Sequence, residues 1–169
     1  MRGRLASLAL GSLLLSACGG GGGGGAPVTP SARIGVADAT LDGPDRTGIL
    51  DFALLSDEGA ALPTLLQFDL AYDAGLLTTD ANVDALQPVT VAAHVVRPGQ
   101  LRVVVGDIET TDGAAAPKPG PLFRLAIRAT PTATAGETIV SVLEQRAADA
   151  VGDDATFDAA AATATVTIP

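Results

Sequence analysis

From about residue 32 onward, apolar side chains return at every second position in short runs, and each run stops at a cluster of Gly, Pro, Asp or Asn. A period of two is the signature of strands with one buried face, and no stripe at the helical spacing of about 3.6 residues is sustained anywhere in this stretch. The pattern predicts strands over Arg33–Leu41, Gly48–Leu55, Thr64–Tyr72, Thr90–Val96, Leu101–Asp107, Leu122–Thr130, Thr138–Glu144 and Ala162–Ile168. Between them, Asp42-Gly43-Pro44-Asp45, Asp57-Glu58-Gly59, Arg97-Pro98-Gly99-Gln100, Pro117–Pro121, Thr134–Gly136 and Gly152-Asp153-Asp154 carry turn chemistry. The expected fold class is all-β: a jelly-roll β-sandwich of about eight or nine strands, immunoglobulin-like in size.

Alternation also assigns faces. Leu50, Phe52 and Leu54 point one way, as do Leu66, Phe68, Leu70 and Tyr72, then Leu101, Val103 and Val105, then Phe123, Leu125 and Ile127. These form the expected core. The opposite faces carry Asp51, Gln67, Asp69, Arg102, Arg124 and Arg128, the candidate binding face, with His94 outward on its own strand. Ala74–Thr78 is expected to make one helical turn capped by Asp73.

The first residues read as an address. Arg2 and Arg4 precede the apolar stretch Leu5–Leu15, which closes on Leu15-Ser16-Ala17-Cys18. This is the form of a secretory signal peptide over residues 1–17, too short to span a bilayer. The last four residues resemble the bacterial lipobox, in which the cysteine thiol takes up a diacylglyceryl group before cleavage. The resemblance implies lipidation at Cys18, and two or three acyl chains anchor a protein stably where one does not. Gly19 in place of an aspartate favours the outer membrane if the source is Gram-negative. Residues 18–31 then form a lipidated cysteine and a Gly- and Pro-rich linker, with an r.m.s. reach of ~20 Å if flexible, and residues 32–169 form the domain.

Composition removes several functions. Lys and Arg number 10 against 19 Asp and Glu, a formal charge of −9, which disfavours nucleic acid and anionic headgroups. Cys18 is the single cysteine, so the domain has neither a disulfide nor a thiolate metal site. One histidine, His94, stands without a paired acid or nucleophile motif, and the reading is of a protein that is not an enzyme and needs no cofactor. A stacking-type sugar site has little to draw on: there is no Trp, and Phe157 is the one aromatic outside the expected core faces. Acidic loops at Asp107-Ile108-Glu109-Thr110-Thr111-Asp112-Gly113 and at Asp149, Asp153 and Asp154 could offer oxygens to calcium, though neither has EF-hand spacing.

The segment Leu66-Gln67-Phe68-Asp69-Leu70-Ala71-Tyr72-Asp73-Ala74-Gly75-Leu76-Leu77 resembles the strand-and-turn signature of cohesin domains, with Ala74 where proline is usual. The order of the later segments is also similar. A Val-rich strand over Leu101–Gly106 leads to Gly120–Ile127, then Ala135-Gly136-Glu137-Thr138 opens a strand, and a Thr/Val strand ends the chain. The resemblance covers roughly residues 32–169 and implies a nine-stranded jelly-roll sandwich acting as a non-catalytic receptor. The expected function is therefore a membrane-anchored lipoprotein presenting a protein-binding or scaffolding module to another envelope or secreted protein. A carbohydrate-binding surface lipoprotein, with polysaccharide as partner, is the alternative.

Overall fold

The computed structural model describes residues 31–106, 117–149, 151–155, 157–158 and 162–169. Cys18, the expected signal and linker, and the acidic loop from Asp107 to Gly113 lie outside the described residues.

The strands are β1 (Ala32–Val36), β2 (Ala39–Thr40), β3 (Thr47–Ser56), β4 (Leu65–Ala71), β5 (Leu77–Thr78), β6 (Val83–Ala85), β7 (Thr90–Arg97), β8 (Gln100–Gly106), β9 (Gly120–Ala129), β10 (Gly136–Ala148) and β11 (Thr163–Ile168). They form two sheets. One runs β1-β3-β9-β5, with β6 also paired to β9; the other runs β2-β11-β10-β4-β8-β7. The inward rows pack into one core, as alternation requires, and all the expected core residues are buried except Tyr72, which is half-buried against it. Phe52 on β3 and Phe123 on β9 stack at 4.6 Å, and Phe68 reaches them from β4 in the other sheet at 6.0 and 6.2 Å, so three rings bridge the two layers.

The first expected strand divides in two. β1 pairs antiparallel with β3, whereas β2 pairs parallel with β11 in the opposite sheet. The break falls at Ala37-Asp38, where the Asp38 carboxylate accepts the Thr165 amide at 2.7 Å and Ala37 N–H donates to Asp51 O at 3.0 Å. A segment whose backbone bonds one sheet at Ala37 and whose side chain bonds the other at Asp38 cannot continue as a single ladder. The strand after Thr138 runs on to Ala148 through a bulge, because Glu144 and Gln145 together face the single residue between Gln67 and Asp69. Glu144 adopts a φ of 49° there, and the extra residue reverses the phase so that Ala147 is buried. After β4, Asp73 caps one turn as expected: its carboxylate accepts the Gly75 amide at 2.7 Å, and its carbonyl accepts those of Leu76 and Leu77. Leu77 and Thr78 then leave the turn as β5.

Candidate functional site

The six candidate residues do not share one face. Gln67, Asp69 and Arg102 belong to β4 and β8, whereas Asp51, Arg124 and Arg128 belong to β3 and β9 on the other side of the sandwich. Alternation distinguishes inward from outward but carries no information on which sheet a strand joins; that is set by long-range pairing.

The outer face of the β10-β4-β8-β7 region is built around Asp69. Although it lies on an outward row, only 1% of it is exposed, which corrects the expectation of a surface carboxylate. Arg102, directly opposite on β8, donates from Nε to Oδ1 at 2.7 Å and from its terminal nitrogen to Oδ2 at 2.9 Å. Gln100 Nε2 adds a bond to Oδ2 at 2.6 Å, and Arg97 Nε donates to Gln100 Oε1 at 2.8 Å. The bidentate guanidinium holds the Asp69 carboxyl below its ordinary value, against the opposing effect of burial, with help from Gln100 and from the charges of Arg102 and His94. The same contact raises the Arg102 guanidinium. Glu144, on the bulge, approaches Arg102 at 4.0 Å. His94 is exposed on β7, opposite Arg102 in register.

Beside this fixed polar centre stands the exposed Leu143, opposite Asp69 on β10, and further along the same outward rows stand Ile139 on β10 and Leu65 at the start of β4, with exposures of 42%, 60% and 40%. Beside them, the turns at Tyr72–Ala74 and Arg97–Gln100 and the bulge at Leu143-Glu144 enclose a groove of about 500 Å³. Gly99 is required at its rim. Its φ is +81°, and an added Cβ would lie 2.7 Å from the Tyr72 carbonyl oxygen. The half-buried Tyr72 hydroxyl is raised by burial, partly offset by the Gly99 backbone.

The opposite outer face is different in kind. Asp51 and Arg124 are cross-strand partners joined by one bond of 3.0 Å, and Arg128 meets Asp80 at 3.7 Å, with every one of these side chains about half exposed or more. Phe157 is half-buried against the core and forms a parallel bridge with Ala32. Among the described residues no group of three His, Cys, Asp or Glu side chains is placed to hold a metal ion.

Sequence reasoning missed Gln100, Leu143 and Glu144 as parts of the site. Leu143 had the one available signal, an apolar residue off the inward phase of Val140 and Val142.

No family model matches the chain, and no curated protein matches it. Solved structures do. The chain is similar to CaCohA2 from Clostridium acetobutylicum, at 19% identity and a TM-score of 0.65, covering 82% of this chain and 90% of that one. It is similar to a chain of a type I cohesin–dockerin complex from Clostridium thermocellum, at 15% identity and a TM-score of 0.64, covering 82% and 99%. It is also similar to a non-cellulosomal cohesin from the archaeon Archaeoglobus fulgidus, at 16% identity and a TM-score of 0.55, covering 83% and 92%. These likenesses span nearly the whole of each neighbour and run through both sheets: the chain has the cohesin fold.

Proposed function

We propose that the chain is a non-catalytic protein-binding module whose receptor surface is the outer face of β10, β4, β8 and β7, and whose partner is a dockerin-type module on another envelope or secreted protein. The observation that carries this reading is the construction of that face. A fully bonded Asp69–Arg102–Gln100 centre, fixed before any partner arrives, stands beside the exposed Leu143, with the exposed Ile139 and Leu65 further along the same face. Preorganised polar groups among desolvatable apolar ones are what a protein hot spot needs, since little side-chain freedom is left to lose on binding. The cohesin–dockerin complex of Clostridium thermocellum, whose fold this chain shares, supports a protein as the ligand. Calorimetric titration of the purified chain with a panel of dockerin modules tests it. Saturable binding that Arg102→Ala weakens is the expected result, and silence across the panel would refute the dockerin assignment.

The same proposal places this module on a membrane through Cys18, with the outer membrane as its address in a Gram-negative source. The lipobox-like Leu15-Ser16-Ala17-Cys18 and the glycine run behind it support that placement. Radiolabelled palmitate should enter the full chain expressed in a bacterial host and be lost in Cys18→Ser. Equal labelling of both would rule out the anchor.

A further inference from the structure

The outer face of β3 and β9, remote from the proposed receptor surface, holds a second concavity. The geometry points to a binding site there for a neutral sugar chain, recognised through its hydroxyls and not by aromatic stacking.

The depression is about 510 Å³, within the range of small-ligand sites. Its floor is apolar: Ile49, 53% exposed, lies opposite Ala126 in the β3–β9 register. Its rim is polar and mixed in sign, with Asp42, Asp80, Asn82 and Arg128 arranged around that floor. Among the described residues, the Asp42 carboxylate and the Asn82 amide have no protein hydrogen-bond partner, and Asp80 has only its 3.7 Å approach to Arg128. These groups are therefore available to a ligand.

Both rims are rigid. On one side, Asp42 and Thr47 exchange backbone bonds of 2.8 and 3.1 Å, and Arg46 beside them sits at a φ of 45° with its guanidinium bonded to Ala133 O and Thr130 O at 2.8 and 2.9 Å. On the other, Ala81 sits at a φ of 57° between Asp80 and Asn82, its N–H donating to Thr79 Oγ1, which donates in turn to Ala126 O at 2.8 Å. Two non-glycine residues in the left-handed region flank a single depression, each over-determined by its neighbours. Such conformations are costly and persist only where neighbouring bonds hold them, which fixes the chain on either side of the depression.

The chemistry selects the ligand class. Two carboxylates against one guanidinium repel phosphates and acids, and among the described residues no third His, Cys, Asp or Glu side chain joins them to hold a metal ion. A sugar hydroxyl can donate to Asp42 or Asp80 and accept from Arg128 or Asn82, while the C–H face of the ring lies on Ile49 and Ala126. On the far side of Arg128 a second depression of about 370 Å³, walled by Pro44 and Pro131, continues the path, so the site suits a chain rather than a single unit.

The test is a titration of the isotopically labelled purified chain with cellobiose, xylobiose and N-acetylglucosamine up to tens of millimolar, followed by amide shifts. Saturable shifts at Ile49, Asp80, Asn82 and Ala126 with at least one sugar are expected, together with a loss of affinity of about tenfold in Asp80→Ala and in Arg128→Ala. Asp80 and Arg128 are exposed, and the unshifted remainder of each variant's spectrum checks that it is folded; Asn82→Ala gives a third independent reading. No saturable shift with any of the three sugars would overturn the proposal. So would shifts at these amides produced by calcium chloride alone, or sugar binding that the variants leave unchanged.

Discussion

Two aspartate–arginine pairs, Asp69–Arg102 and Asp51–Arg124, occupy equivalent places in the two sheets: each is a direct cross-strand partnership on an outward row. Yet the first carboxylate is 1% exposed and the second 56%. Neighbours make the difference. β4 lies between β8 and β10, and Gln100 and Leu143, on those flanking strands, stand beside the Asp69 carboxylate. Asp51 has Arg124 on one side and only the chain at Ala37 on the other. One pair is thus a fixed element of the surface, and the other a solvated pair free to exchange partners. On the proposed function, the first face offers a partner a surface that is already fixed, whereas the second leaves its polar groups to solvent.

The largest expected effect is Asp69→Ala, which leaves the Arg102 guanidinium and the Gln100 amide without the carboxylate that both bond, and should lower stability in chemical denaturation by clearly more than Gly99→Ala or Asp51→Ala. Asp51→Ala, the matched change, should cost less than about 1 kcal/mol. Equal losses would erase the distinction between the pairs. Gly99→Ala should come next, at about 2 kcal/mol, because it combines a φ of +81° with a clash at the Tyr72 carbonyl. The acid limb of stability sharpens the comparison further. The Asp69 carboxyl is held below its ordinary value in the fold, so its contribution is full above about pH 4 and is lost as pH falls through the lowered folded value. Melting temperatures of the parent chain should fall through that window, and Asp69→Asn should flatten the fall. The smallest effect is salt: raising ionic strength should weaken the contribution of Asp51–Arg124, measured by a double-mutant cycle, and leave that of Asp69–Arg102 nearly unchanged.

These differences also show what could be read from residues alone. Leu66, Phe68 and Leu70 announce a buried row by their spacing, and the three phenylalanines that join the sheets were legible for the same reason. Asp69 was legible as outward, not as covered, because its cover comes from Gln100 and Leu143, 31 and 74 positions away, on strands whose order no local pattern encodes. The bulge at Glu144 is equally silent, since nothing but the pairing with β4 forces it. β5 and β6, of two and three residues, are too short for alternation to register.

On the function proposed above, the β10-β4-β8-β7 face, and not its counterpart, receives the partner. Calorimetry of Leu143→Asp and Ile49→Asp against a dockerin module that binds the parent chain separates the two faces, since both variants replace an exposed apolar residue by the same charge on opposite sides of the sandwich. A loss of about a hundredfold is expected for Leu143→Asp and a change within about threefold for Ile49→Asp. The reverse order, or equal losses, would show that the partner binds elsewhere.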